Sequence, residues 1–144
     1  MSEEKNTFTK SLLKYQGIID TMLEHKNKDG ICVISQKKLG EKVSITQTNV
    51  SRAIRQINTE ETCIEILSPG KYIVHYRNIL ERGTFACIWN LFFDFEKNPQ
   101  LLFESDKSIA ERYGYKLKTV QMFKAYVRDG SSALCEKRND NIKK

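Results

Sequence analysis

Apolar side chains recur at helical spacing in four stretches of this chain, and three β-rich runs interrupt the pattern. Leu12, Tyr15, Ile19, Met22 and Leu23 mark a first amphipathic helix over Phe8–Lys26, with Thr7 or Thr9 placed to cap it. Gly17 weakens that helix slightly, and Asn27-Lys28-Asp29-Gly30 ends it in a turn. Ile31-Cys32-Val33-Ile34 is short and β-branched, and predicts a brief strand. From Gln36 to Ile57 the pattern is that of two short helices. Leu39, Gly40 and Val43 point inward on the first, a turn falls at Ser44-Ile45, and Val50, Ala53, Ile54 and Ile57 point inward on the second. Ser35 and Thr46 stand where N-caps belong. Two further β-rich runs, Cys63–Leu67 and Tyr72–Tyr76, flank Ser68-Pro69-Gly70-Lys71 and predict a hairpin.

The order helix, strand, helix, helix, strand, strand is that of a winged helix over residues 8–76. Arg77–Gly83 then predicts a brief helix closing on glycine. The next run, FACIWNLFFDFEKN, fits a strand by its aromatic content and a buried helix by its length, and length favours the helix. Its apolar residues exceed what a surface element shows, so they fill the junction between two halves or meet a second subunit through Phe85–Phe95.

After Asn98-Pro99 the helix-turn-helix pattern returns. Ser105 or Asp106 caps a helix with Ile109, Ala110 and Tyr113 inward and Gly114 at the turn. Another helix follows, with Val120, Phe123 and Val127 on one face, until Asp129-Gly130 stops it. Ala110 stands where Gly40 does, Gly114 where Ser44 does, and Val120 where Val50 does. The tail Glu136–Lys144 is charged and predicts disorder. The expected fold is mainly α with a small β-wing, a winged helix followed by a second helix-turn-helix-like unit. Its parts are residues 1–83, an apolar connecting or dimerisation element over 84–104, and the basic unit 105–144.

Charge sharpens this picture. The 144 residues carry a formal net charge of +6, with a pI near 9.1. Ser105–Lys144 holds ten Lys/Arg against five Asp/Glu, so +5, which leaves +1 for residues 1–104. Within that nearly neutral part Ser35–Asn58 has five cations against Glu41 alone, so +4. The surplus lies in the two helix-turn-helix segments, as a polyanion partner would require.

Side-chain chemistry points the same way. Gln47, Thr48, Asn49, Ser51 and Arg52 fall on the early, core-free part of the second short helix, where amides, hydroxyls and guanidinium groups read base edges. Ser35, Lys37, Lys38, Thr46 and Arg55, with Lys71 and Tyr72 at the hairpin tip, suit contacts to the DNA backbone. In the second unit Lys116, Lys118, Thr119, Gln121, Met122 and Lys124 form the corresponding face, where cations favour phosphate contact. A domain that uses these surfaces for protein docking is the competing expectation.

Other functions find little support. Cys32, Cys63, Cys87 and Cys135 are widely spaced, and His25 and His75 are the only histidines, so no metal-ligand spacing exists. Buried, inert, reduced thiols are expected. There is no glycine-rich phosphate loop and no nucleophile with an evident base, so neither an enzyme nor a cofactor is expected. Tyr113 and Tyr115 as strand-nicking residues would need metal-binding histidines beside them. MSEEKNTFTK is not a secretory leader, and no apolar run reaches the roughly 20 residues of a membrane span. These features predict a bacterial cytoplasmic protein associated with nucleoid or plasmid.

Ile31–Gly83 resembles the winged-helix segment of the RepL-type plasmid replication proteins of Gram-positive bacteria. The likeness lies in the helix-turn-helix Gln36–Ile57, the wing GKYIVHY and the exit NILERG. It departs from that family at Tyr76-Arg77, where Asn-Pro is usual, and it leaves the unit after Ser105 without a counterpart. The resemblance implies a mobile-element setting. The expected function is sequence-specific binding of double-stranded DNA, as a transcriptional regulator of a plasmid, phage or other mobile element, with a replication initiator or copy-control protein as the alternative and a protein-interaction adaptor after it. A palindromic site would call for a homodimer.

Overall fold

A computed structural model describes residues 7–130. The chain is mainly helical, with one small antiparallel sheet. The first helix, α1, spans Thr7–Glu24 and buries Phe8, Tyr15, Ile18, Ile19 and Met22. Strand β1 (Cys32–Val33) follows, then α2 (Gln36–Val43), α3 (Gln47–Ile57), β2 (Ile64–Ser68) and β3 (Lys71–Val74). The strands lie in the order β1-β3-β2, with Cys32 opposite Tyr72 and Ile66 opposite Tyr72 on the other side. A bulge between Ile66 and Ser68 shifts the hairpin register near its tip.

Two local devices set α2 against α3. The Ser35 and Thr46 hydroxyls accept from the backbone N–H groups of Lys38 and Asn49, each at 3.1 Å, which satisfies donors the helices leave open. Ser44 adopts the left-handed conformation at φ 63°, and its N–H and that of Ile45 turn back to the Gly40 carbonyl. Gly40 is where the two helices touch: a Cβ there would lie 2.6 Å from the Ile45 carbonyl oxygen. Asn58 then ties α3 to the hairpin. Its Oδ1 accepts from the N–H groups of Cys63 and Ile64, and its Nδ2 donates to the Ile64 carbonyl.

Arg77–Gly83 forms a turn and not the brief helix its sequence predicts. Asn78 is the reason: its side-chain oxygen accepts from the Leu80 N–H and its carbonyl from that of Glu81, a local turn that competes with helix. Gln16 of α1 holds this turn by donating to the Arg77 carbonyl and accepting from the Ile79 N–H.

The aromatic run is a helix, α4 (Thr84–Lys97), and it fills the junction. Phe8 of α1 packs its ring 5.0 Å from Phe92 and 5.1 Å from Tyr126, while Phe92 meets Phe123 edge-on at 5.1 Å. A 3-10 helix (Pro99–Phe103) leads to α5 (Asp106–Tyr113) and α6 (Leu117–Arg128). Ser105 caps α5 by accepting from the Ser108 N–H, and Gly114 takes the left-handed turn position at φ 73°. One cluster of buried side chains runs from Phe8 through Ile57 and Tyr72 to Phe123. None of the described helices is long and apolar enough to cross a membrane. Cys135 and the tail Glu136–Lys144 lie outside the described residues.

Candidate nucleic-acid interface

The periodicity of α3 divides it cleanly. Val50, Ala53, Ile54 and Ile57 are buried, at most 2% exposed, while Gln47, Thr48, Asn49 and Arg52 face solvent. Ser51 is half-buried at the edge of this face and accepts from the Arg55 guanidinium at 3.2 Å, so the two act as one polar unit. Lys37 and Lys38 are exposed at the start of α2, and Lys71 is exposed at the hairpin tip. The hydroxyls of Ser35 and Thr46 are engaged as caps, which leaves their helix N-termini turned to solvent beside these cations.

Two adjoining clefts take in some of these residues. One cleft lies between the start of α2 and the hairpin, lined by Ser35, Gln36, Lys37, Gln47, Ile66, Pro69, Gly70 and Tyr72. A second, along α3, is lined by Gln36, Gln47, Thr48, Ser51 and Arg55. Gln36 and Gln47 line both, and so stand where the hairpin side meets the helix side. Gln36 is absent from the sequence-based set. Its position at the first turn of α2, across from Gln47, follows only from the packing of the two helices.

Tyr72 borders the cleft between α2 and the hairpin but offers no exposed side-chain surface to a DNA backbone. It is fully buried, and its hydroxyl has no hydrogen-bond partner among the described residues. Side chains alternate along a strand, so the register that exposes Lys71 turns Tyr72 under the sheet.

The second unit departs further from expectation. Lys116, Lys118 and Gln121 are exposed, but Thr119 is 0% exposed and Met122 is 9% exposed, so neither belongs to an outer face. Lys124 is only 13% exposed at its side chain. Its ammonium sits 2.8 Å from the Asp106 carboxylate and donates to the Glu104 carbonyl. Burial of the α6 face against α4 is the cause, since Phe123 anchors that packing between Phe92 and Phe95. The Lys116 N–H and the Thr119 hydroxyl both donate to Glu60, a residue of the segment after α3. The sequence held one signal of this: Lys116 cannot cap a helix in the way Ser35, Thr46 and Ser105 do, so a cap had to come from elsewhere.

Of the aromatic element offered for dimerisation, Phe85, Ile88, Leu91 and Phe92 are buried within the chain. Phe93 remains 47% exposed, with the Lys97 ammonium 4.2 Å from its ring centre.

Burial, together with its hydrogen bond to Asp94 at 2.6 Å, pushes the Tyr113 phenol up to about 12. The Cys87 thiol is pushed up to about 11 by burial and then by the Glu60 charge. Cys32 and Cys63 are buried and free, their thiols also raised by burial. Among the described residues, no group of three or more His, Cys, Asp or Glu could hold a metal ion.

No protein-family model, curated protein or solved structure matches this chain.

Proposed function

We propose that the chain is a sequence-specific double-stranded DNA-binding protein whose first unit is a winged helix. It would act as a transcriptional regulator of a plasmid, phage or other mobile element. The order of elements and the β1-β3-β2 sheet support the winged-helix reading. The observation that carries the functional reading is the outer face of α3. Gln47, Thr48, Asn49 and Arg52 stand together in solvent on a helix whose opposite face is fully buried, with Lys37, Lys38 and Arg55 around them. That is the division of labour DNA recognition needs, with base readers on the early turns of a helix and cations at the flanks. The cleft between α2 and the hairpin gives the backbone of one strand a place to lie, with Lys37 in its lining. The resemblance of Ile31–Gly83 to plasmid replication proteins supports an origin as the alternative target.

Selection of bound sequences from random duplexes tests this reading. The full chain should enrich a defined site. Asn49→Ala and Arg52→Ala should each lose about 1–3 kcal/mol on that site and relax preference at a few base pairs, whereas Lys37→Ala should weaken all sequences alike and reduce the salt slope by about 1. No enrichment from the pool, with affinity indifferent to salt, would leave a docking module as the better account.

A further inference from the structure

The hairpin carries an apolar tip that the core does not use. Ile66 and Leu67 are 53% and 44% exposed, and among the large apolar side chains that the described residues leave in solvent they alone are neighbours in sequence. Pro69, two residues on, is exposed as well. Ile66 pairs with Tyr72 and Ser68 with Lys71, so Leu67 is the bulge residue, with no partner across the ladder. Bulges of this kind re-aim side chains next to functional surfaces, and adjacent apolar residues left in water mark a surface that something covers.

The tip is fixed relative to the two short helices. The Ile34 N–H donates to the Gly70 carbonyl at 2.9 Å, one residue before the Ser35 cap of α2, and β1 pairs Val33 with Lys71. Ile66, Pro69 and Gly70 line a cleft shared with Gln36, Lys37 and Gln47, and those two glutamines also line the cleft along α3. No carboxylate borders either cleft, while Lys37 borders one and Arg55 the other. Such a surface suits a polyanion, which makes the duplex at α3 the occupant that also covers the tip.

A duplex offers an isoleucine and a leucine few apolar partners. With α3 in a major groove, a hairpin fixed beside it reaches past the bordering backbone toward the adjacent minor groove. That groove displays acceptors and one amino donor but no methyl group. Its remaining apolar surface is the base faces, which are uncovered only when a step unstacks. Isoleucine, leucine and proline are among the side chains that enter such steps, and entry kinks the duplex by about 20–90°.

We propose, resting on the DNA-binding reading of α3, that Ile66 and Leu67 form a wedge that opens one base step beside the site and bends the DNA there. Lys71, exposed next to them, holds the backbone at the kink. The wedge adds sequence preference at a step that no polar side chain touches, since pyrimidine–purine steps open most easily.

The test compares the full chain with its Ile66→Ser/Leu67→Ser variant on the duplex that the wild type enriches from a random pool. Energy transfer between dyes at the duplex ends should show the wild type shortening the end-to-end distance and the variant leaving it unchanged. A single mismatch walked along the flanks lowers the cost of opening a step. At one position it should tighten wild-type binding by about tenfold or more, whereas the variant should bind the whole series alike. Leu67→Met, which keeps an apolar side chain, should keep the bend. If the double variant melts early, Leu67→Ala alone carries the comparison, with a smaller bend and a smaller mismatch gain expected. A wild type that binds its site without bending it, or a variant that bends it equally, overturns the wedge and leaves the DNA-binding reading standing. So does a variant that keeps the bend but dissociates a wild-type dimer, which would give the tip to a second copy of the chain. A wild type that enriches no site sinks the reading itself, and the wedge with it.

Discussion

Ser35–Ile57 and Ser105–Val127 are superimposable in pattern at an interval of seventy residues, and the few positions where they part decide what each does. Both start on a capping serine, both bury the fifth residue (Leu39 and Ile109) completely, and both turn through a left-handed residue, Ser44 or Gly114. Val50 and Val120 are equally buried. The differences lie on the second helix of each pair. Where α3 has Thr46, Asn49 and Ala53, α6 has Lys116, Thr119 and Phe123. A local cap and a small inward residue leave the N-terminal end of α3 in water. A missing cap and a large aromatic draw α6 against α4 and onto Glu60. The shared backbone motif thus specifies a shape, and three side chains determine whether that shape offers a surface or fills a gap.

The most forceful way to break this comparison is to remove the side chain that holds the second unit in place. Phe123 is fully buried and meets Phe92 and Phe95 edge-on at 5.1 and 6.0 Å. Phe123→Ala should destabilise the chain by about 3–5 kcal/mol, the range for truncating a core phenylalanine. Since one buried cluster joins both units, urea denaturation should show this as a shift of a single transition. Two transitions, with the first unit's midpoint unmoved, would show that the brace is dispensable to the first unit.

Much of this architecture was legible from periodicity and caps. The inward sets of α2, α3, α5 and α6 follow from helical spacing, and Ser35, Thr46 and Ser105 cap where their side chains predict. The misread site residues share a cause, because each depended on a contact distant in sequence or on strand alternation. Thr119 looks exposed by analogy with Asn49 until Glu60, 59 residues away, is seen to hold it. Lys124 looks free until Asp106 is found beneath it. Tyr72 adjoins an exposed lysine, yet strand geometry puts neighbours on opposite faces. The apolar run Phe85–Phe95 showed that something must cover it, but only the ring contacts with Phe8 and Phe123 identify α1 and α6 as the cover.

A subtler probe exchanges the residues at the helix–helix contact. Gly40 admits no side chain, since a Cβ would stand 2.6 Å from a backbone carbonyl oxygen that cannot swing away. Its counterpart Ala110 already carries one. Gly40→Ala should therefore destabilise by about 1–3 kcal/mol, despite the roughly 1 kcal/mol by which alanine favours a helix over glycine. Ala110→Gly should lose only about 1 kcal/mol, from backbone entropy. Equal losses in the two variants would mean that the turns are alike in geometry and that the comparison must rest on Phe123 and Glu60 alone. A neutral Gly40→Ala would show that α2 and α3 can separate without cost, and that the α3 face is less firmly placed than the packing indicates.

The smallest expected effect distinguishes the units by acid. Just before the α5 cap stands Glu104, and just before the α2 cap, at the same place, stands buried Ile34. Glu104 accepts from the Ser108 hydroxyl and from Arg112, each at 2.6 Å. The Ser108 bond first, then the Arg112 charge and the more distant Lys124, hold its carboxyl below the ordinary value of 4.5. A carboxylate depressed in this way stabilises the folded chain above its unfolded value, and the contribution is lost as pH falls through the folded one. The difference in unfolding free energy between wild type and Glu104→Gln should therefore be present at neutral pH and shrink below pH 4.5. The group is solvent-accessible, so added salt should shrink it too. Ile34 has no charge to lose, so a substitution there should show no such pH dependence. A difference that persists unchanged in acid would mean that Glu104 acts through packing, and that the second unit is braced at this point as the first is, by shape alone.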